Sequence, residues 1–270
     1  MKRFIYMAAV LIMIGMDVSS CSNENDIKDV ETSSKKIQLT LTASFEAVDG
    51  GSSRAVWDTS VKPKFQVGDK IGVYSTNQTT AEPITVTAVD NTGNATLNGT
   101  VTAASEYHLV FPYKAGTTYD TSTGDISGFD DFNVTTSTND GSFGTYPTTA
   151  LHYAKTTSGN SIFFYNLCAI LKVCNPNTDY YNNNDDFLIT FSYVGNPIIH
   201  TTGTASVTAT YKSLDVYLRA HDDDENSTTT YYHYYPVAPG NVTIVSTISN
   251  ERKTATTVAN KIYWLHGPTY

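Results

Sequence analysis

The segment Ile37-Gln38-Leu39-Thr40-Leu41-Thr42-Ala43-Ser44-Phe45-Glu46-Ala47 places apolar side chains at its odd positions and polar ones at its even positions. This period of two is typical of a β-strand with one buried and one solvated face. The next residues, 49–54, read Asp-Gly-Gly-Ser-Ser-Arg, which indicates an exposed loop. We therefore expect Lys36 to Val48 to form the edge of a β-sandwich, joined to the body of the protein by a loop that carries Arg54.

The composition of the whole chain limits its class. It has 270 residues, a net charge of −9, 16% charged residues and 19 tyrosines. An acidic chain is a poor partner for a phosphate backbone, so we expect no nucleic-acid binding. The aromatic content and the low charged fraction exclude a disordered protein. Abundant Thr, Ser, Asn, Tyr and Val favour strands and turns, so the predicted fold class is all-β.

Further strand signals follow along the first half of the chain. Residues 65–74 read as a turn that leads into a strand, and residues 107–111 as a strand that Pro112 ends. The segments 84–89 and 95–101 flank Asn91-Thr92-Gly93-Asn94, a hairpin signal. Residues 114–150 are rich in Gly, Thr, Ser and Asp, which predicts long loops with short strands.

The second half of the chain has strand signals of its own. The mostly apolar run from Ser161 to Val173 predicts one strand at the centre of a second core. Turn signals at short spacing predict two β-sandwich domains, at residues 36–155 and 156–270. The remaining predicted strands are residues 185–193, 203–210, 214–219, 231–237, 242–249 and 255–265.

The amino end carries an export signal. Lys2 and Arg3 precede the 13-residue apolar run from Phe4 to Met16, which is shorter than the ~20 residues of a membrane span. Residues 1–20 are therefore predicted to be a signal peptide. The residues at the predicted cleavage site, Val18-Ser19-Ser20-Cys21, resemble the lipobox of bacterial lipoproteins. This resemblance implies cleavage before Cys21, acylation of Cys21 and attachment to the outer membrane.

An ordinary signal peptide followed by a chance Cys remains the alternative to the lipobox. Residues 21–35 are polar and acidic at their start, and they predict a flexible tether. The acidic stretch Ser22–Asp26 also resembles the surface-export signal of some Gram-negative lipoproteins.

Signatures of catalysis and of cofactor or metal binding are missing from the sequence. It contains no Gly-x-Ser-x-Gly elbow, no phosphate-binding loop and no His-Glu-x-x-His motif, and its six histidines are scattered. Cys168 and Cys174, if they share one strand, lie about 20 Å apart, too far for a disulfide. We expect a protein that is not an enzyme, with no catalytic residues, no metal and no cofactor.

Several short motifs occur in order along the chain. The first is Phe65-x-x-Gly68-Asp69-x-Ile71-x-Val73-Tyr74. The others are Tyr107–Pro112, Phe164–Leu171 with Asn166 where His is usual, Pro239–Ile244 and Lys261–Tyr263. This series resembles the fimbrillin-like proteins, the type V pilus subunits of Gram-negative anaerobes.

The resemblance implies two transthyretin-like, Greek-key β-sandwich domains in tandem, exported to the cell surface as a lipoprotein precursor. It also implies that an Arg-specific protease cleaves between Arg54 and Ala55 and that a strand from another pilus subunit then fills the vacated groove, in a fimbria that serves adhesion. The residues agree with this logic, because removal of an amphipathic strand bares apolar side chains and unpaired backbone groups. The groove-filling side chains are Ile37, Leu39, Leu41, Ala43 and Phe45.

Two alternatives remain open at the level of sequence. The first strand can simply stay in place, with Arg54 as an ordinary loop residue, in a monomeric surface lipoprotein that binds glycan or a host protein. Only Trp264 to Tyr270 follow Tyr263, and Pro268 interrupts them. This segment is too short, and too interrupted by proline, for a long donor strand, which favours an accessory or tip subunit over a stalk subunit.

Overall fold

The computed structural model describes residues 35–46, 63–130, 150–157, 160–175, 187–218, 231–246 and 252–265. Regular structure in these ranges is all β-strand, which confirms the all-β prediction. No helix within them is long and apolar enough to cross a membrane. The strands are β1 Lys36–Phe45, β2 Lys70–Ser75, β3 Gln78–Val89, β4 Ala95–Thr102, β5 Tyr107–Phe111, β6 Thr118–Asp120, β7 Asp125–Ser127, β8 His152–Thr156, β9 Ser161–Asn166, β10 Ala169–Asn175, β11 Phe187–His200, β12 Ser206–Leu218, β13 Tyr231–Val237, β14 Gly240–Ser246, β15 Arg252–Thr257 and β16 Ile262–Leu265.

Seven strands close on themselves into a barrel. β1 pairs with β4, β4 with β3, β3 with β2 and β2 with β5, all antiparallel. β5 pairs with β8 and β8 with β9, and β9 returns to β1 in parallel. Closure satisfies backbone groups that an open sheet would leave at its two edges. The barrel interior is an apolar cluster that includes Ile71, Ile84, Leu97, Leu109 and Phe164.

The β3–β4 hairpin shows how local sequence builds the barrel wall. Val89 pairs with Ala95, so the turn falls on residues 90–94, as predicted. Gly93 adopts a φ of +89°, which favours glycine. The Asp90 carboxylate accepts hydrogen bonds from the backbone amides of Thr92 and Asn94, each at 2.9 Å. Hydrogen bonds from the side chains of these two residues also hold the pKa of Asp90 down, at about 2.

A second set of strands packs around another apolar cluster. β11 pairs with β12 along its length, and its other edge pairs with β14 and then with β7. β13, β10 and β16 form a separate three-stranded sheet. The second cluster draws on both halves of the chain, because it contains Val110 and Tyr153 as well as Ile199 and Ile262. The division at residue 155 into two tandem domains stays a prediction.

The apolar run 161–173 does not form one strand, which corrects the prediction. β9 ends at Asn166 and belongs to the barrel, whereas β10 begins at Ala169 in the three-stranded sheet. At the break, the Asn166 side-chain oxygen accepts a hydrogen bond from the Cys168 amide at 2.9 Å. Leu167 and Cys168, which connect the two strands in the sequence, are buried. The run of buried residues therefore has no gap at the point where the chain leaves one sheet for the other. Cys168 therefore precedes β10, and the same-strand separation from Cys174 does not apply.

Two further strand boundaries differ from expectation. The predicted segments 203–210 and 214–219 form one strand, β12, which pairs with β11 through residue 218. The predicted segment 255–265 is instead two strands, β15 and β16, separated by a turn in which Asn260 has a φ of +58°. Strand patterning specifies faces, but it does not specify where the chain leaves one sheet for another.

Candidate functional site

β1 lies between two strands of the barrel, which corrects the expectation that it is a sheet edge. Residues 36–43 pair antiparallel with β4, with Lys36 opposite Thr102. Residues 42–45 also pair in parallel with β9, with Phe45 opposite Phe164. Removal of β1 would therefore open the barrel and expose the edges of both neighbours.

The apolar face of β1 is most deeply buried at Leu41 and Ala43, and it is partly buried at Ile37, Leu39 and Phe45. Ile37 and Leu39 are half-buried against the barrel core, whereas Leu41 and Ala43 are 3% and 0% exposed. The even positions 36–42 face solvent, so the predicted alternation is confirmed. Among the described strands, residues 36–41 pair with β4, Thr42 and Ala43 pair with both β4 and β9, and Ser44 and Phe45 pair with β9.

Phe45 ends the strand in a cluster of aromatic rings. Its ring stacks on that of Phe65, with centroids 4.1 Å apart. The rings of His152, Phe111 and Phe164 lie around it at centroid distances of 4.8, 5.7 and 6.0 Å. Aromatic pairs at these distances stabilise beyond the area that they bury. The cluster therefore anchors the carboxyl end of β1.

His152 is the titratable member of this cluster. Its side chain is buried, and Nδ1 lies 2.9 Å from the Ala150 carbonyl oxygen. Burial lowers the pKa of His152 to about 3, although the carbonyls of Ala150 and Phe111 oppose this effect. The imidazole is therefore neutral near pH 7, and the ring acts beside Phe45 as a largely apolar surface.

Polar side chains join the outer face of β1 to β4 and β3. Lys36 Nζ donates to Thr102 Oγ1 at 2.9 Å and forms an ion pair with the Glu82 carboxylate. Glu82 in turn accepts from the Thr102 backbone amide at 2.6 Å. Gln38 bonds to Asn98, and its side-chain oxygen accepts from Thr100 at 3.1 Å. The Gln38 contacts are exposed, whereas those of Thr102 with Lys36 and Glu82 are part-buried.

The predicted site residues fall into two groups. The five groove-filling side chains, Ile37 to Phe45, lie together along the barrel core. Cys21, Arg54 and Ala55 lie outside the described residues, so lipidation and cleavage stay predictions. The sequence motifs include Phe65 and Phe164, but they do not predict that these residues contact Phe45. The alternation of one strand shows which of its side chains are buried, not which other strands lie beside it. His152 carried no signal in the sequence beyond its type.

Two other polar groups in the described part of the chain have structural roles. His200 links β11 to β7 and β12, with Nδ1 2.7 Å from Asp125 Oδ1 and Nε2 2.7 Å from Thr208 Oγ1. These contacts form a polar ladder across the three strands. Cys168 is a free, buried thiol whose pKa is raised to about 12 by burial. A protonated, buried thiol is a poor nucleophile.

Comparison with known proteins gives matches to solved structures alone. No family model and no curated protein matches the chain. A "putative cell adhesion protein" from Bacteroides uniformis is 12% identical with a TM-score of 0.45, over 85% of this chain and 92% of that one. One of the same description from Bacteroides ovatus is 13% identical with a TM-score of 0.44, over 86% and 92%. A fimbrial assembly protein from Parabacteroides distasonis is 10% identical with a TM-score of 0.36, over 86% and 91%.

Two of these structures are described as a "putative cell adhesion protein" and one as a fimbrial assembly protein. Their identities are 13% or less and their TM-scores are below 0.5. The similarities therefore do not assign a function to the chain, and the functional argument rests on β1 and its surroundings.

Proposed function

We propose that the chain is an accessory, tip or stalk subunit of a type V-like fimbria with a role in adhesion. In this proposal it is exported as a precursor lipidated on Cys21, and an Arg-specific protease cleaves it between Arg54 and Ala55. A strand from another subunit then replaces β1. The two tandem transthyretin-like domains that the motifs imply belong to the same proposal. The subunit works by strand exchange and not by catalysis.

One observation carries the proposal. β1 contributes backbone pairing to two neighbours and side chains to the barrel core, yet it is the first strand of the described chain. Because it is the first described strand, one covalent connection, residues 46–69, joins it to the other described strands of the barrel. A single cut there removes this covalent link without breaking any other described element, whereas a strand in the middle of the chain would need two cuts.

The energetics favour replacement of the strand over an empty groove. Leu41 and Ala43 are almost fully buried, and Ile37, Leu39 and Phe45 pack against the same core. Burial of each large apolar side chain stabilises by about 1.5–3 kcal/mol. An open groove would lose these contributions and would leave backbone groups of β4 and β9 unpaired. An incoming strand restores both terms at once.

Proteolysis of the purified, leader-free protein tests the proposal. An arginine-specific protease should produce a new amino terminus at Ala55, and the product should form ladders that resist mild denaturation. Arg54→Gln should abolish both the cleavage and the ladders. Arg219→Gln, which removes an arginine from the second half of the chain, is the control and should preserve both. A product that starts at Ala55 but remains monomeric with β1 bound, even at high concentration, would exclude assembly by strand exchange.

A second candidate function, glycan binding by a monomer, is favoured by one surface feature. Phe163 and Tyr165 alternate on β9 and point outward, with 59% and 52% of their surface exposed. Exposed aromatic rings of this kind can stack on sugar rings. Glycan-array binding by the uncleaved protein that is lost in Phe163→Ser and Tyr165→Ser would support this candidate. Retention of binding in both variants would exclude these rings as the site.

A further inference from the structure

We propose that the groove that holds β1 accepts a replacement strand according to the side chains at two neighbouring positions, one of which fits only a small side chain and the other a large aromatic one. A closed site, where Ala43 lies, admits a small side chain, and an aromatic site, where Phe45 lies, requires a ring. This inference rests on the proposed function, since it describes which strand of a partner subunit can replace β1.

The closed site is built where β1 has neighbours on both sides. Ala43 pairs with Ala95 of β4 and with Ile162 of β9, and it is 0% exposed. Ala95 and Ile162 are themselves buried. A strand held by ladders on both edges cannot move sideways to make room for a larger side chain. Additional methylene groups at this position would therefore displace packed neighbours.

The aromatic site follows two residues further along the same face. It is formed by the rings of Phe65, His152, Phe111 and Phe164, which contact the partly buried ring of Phe45. These rings also contact one another, since the Phe65 centroid lies 5.4 Å from that of Phe111 and 5.7 Å from that of Phe164. A small or aliphatic occupant would leave part of this ring surface without contacts, which costs packing energy.

The remaining positions of the groove select less strongly. Ile37 and Leu39 are half-buried, as Phe45 is, but they lie neither in a fully buried position like that of Ala43 nor among the rings that contact Phe45. We therefore assign them a weaker role in selection. The selective positions are therefore concentrated at the carboxyl end of the occupant.

The two sites together fix register as well as identity. A slip of one residue would turn the apolar face of the occupant outward. A slip of two would place the aromatic ring in the closed site, or a small side chain in the aromatic site. The partner is thus an extended segment with alternating apolar residues, in which a small residue precedes an aromatic one by two positions. It enters antiparallel to β4 and parallel to β9.

Peptide exchange on the cleaved full-length protein tests this inference. A specific protease site inserted between Gly51 and Ser52 allows complete cleavage of the chain. Fluorescein-labelled peptide of sequence 36–47 is then added, and its uptake is followed by anisotropy and by mass spectrometry of the displaced strand. The variant peptides are Ala43→Leu and Phe45→Ala, and Thr42→Ser, changed on the exposed face, is the control.

We expect Ala43→Leu to weaken uptake about tenfold through overpacking. Phe45→Ala should weaken it about 100-fold or more through the lost ring contacts, and the control should match the parent within about twofold. Ile162→Ala in the protein enlarges the closed site, so it should recover uptake of the Ala43→Leu peptide while leaving the Phe45→Ala defect. A general loss of peptide structure would not produce this selective recovery.

The outcomes separate the inference from the function on which it rests. Equal uptake of the parent and both variant peptides would overturn selection by the two sites and leave strand replacement intact. Failure of the parent peptide to enter, even in denaturant just below the unfolding transition, would overturn strand replacement and the inference with it.

Discussion

The Phe45 ring stacks on the Phe65 ring with centroids 4.1 Å apart, although 19 residues separate them in the chain. One lies at the end of β1 and the other precedes β2. The connection that carries Arg54 therefore begins and ends at one aromatic cluster. A cut in this connection breaks the covalent link but leaves the contact between its two ends.

The first prediction is that, at protein concentrations too low for assembly, cleavage at Arg54 alone does not release β1. The cleaved strand keeps its pairing with β4 and β9 and its place in the Phe45 cluster. Size-exclusion chromatography should find the fragment with the body, and denaturing gel electrophoresis should separate them. Phe45→Ala should promote release, since this partly buried side chain would lose its contacts with the surrounding rings. Immediate release from the unmodified protein would show that these contacts are too weak to retain the strand.

The second prediction concerns the buried face of β1. Leu41 is 3% exposed and pairs with Leu97, so Leu41→Ala should lower the free energy of unfolding by about 2–4 kcal/mol. Thr40→Ala, at the neighbouring exposed position, should change it by about 0.5 kcal/mol or less. Urea denaturation of both variants gives the comparison. Similar losses for the two would contradict the assigned faces of the strand.

The third prediction tests the close approach of β4 to β3 at Gly99. Gly99 is opposite Leu39, and a Cβ added to it would lie 2.6 Å from Ile84 Cγ2 and 3.0 Å from Ile84 Cα. Gly99→Ala should therefore destabilise the barrel by about 1–3 kcal/mol. Thr96→Ala, in the same strand, provides the control in thermal and urea unfolding. A neutral Gly99→Ala would mean that Ile84 and its backbone move aside at little cost.

The fourth prediction follows from the buried imidazole beside Phe45. The pKa of His152 is about 3 in the folded protein and 6.5 in an unfolded chain. Between these values the unfolded state binds a proton that the folded state does not, so stability falls as pH is lowered. One such group contributes about 1.4 kcal/mol per pH unit. This loss begins below pH 6.5 and ends near pH 3.

Urea titrations of the unmodified protein and of His152→Phe at pH 7, 5.5 and 4.5 measure this slope. The variant should lose stability less steeply with acid, whatever its stability at pH 7. Burial also lowers the pKa of His108, so some slope of the same sign should remain. Equal slopes for the two proteins would show that His152 does not stay neutral in the fold.

The fifth prediction is a gradient of protection along β1. Within the described part of the chain, residues 36–41 pair with β4 and with no second strand, whereas the Thr42 amide donates to the Asn160 carbonyl at 2.6 Å and the Glu46 amide to the Phe164 carbonyl at 3.0 Å. Amide hydrogen exchange should therefore be slower at the carboxyl end of the strand than at its amino end. Uniform protection would indicate that β1 opens only with the whole barrel.

The sequence predicted those strands and turns that depend only on residues close together in the chain. The alternation at Ile37–Ala47 predicted β1, and the Asn-Thr-Gly-Asn turn predicted the β3–β4 hairpin. Pro112 marked the end of β5. The run 161–173 was misassigned as one strand because Leu167 and Cys168 stay buried where the chain passes from the barrel to another sheet.

The amino-acid sequence by itself determined that the protein is β-structured and which face of its first strand is buried, since a period of two is a local property. The tertiary structure decided that this strand lies between β4 and β9, and that Phe45 meets Phe65, Phe111, His152 and Phe164. The reason is that a strand's alternation specifies which side chains must leave water, but every strand edge offers the same backbone donors and acceptors. The choice among edges depends on how distant side chains pack together, and that is settled only when the whole barrel closes.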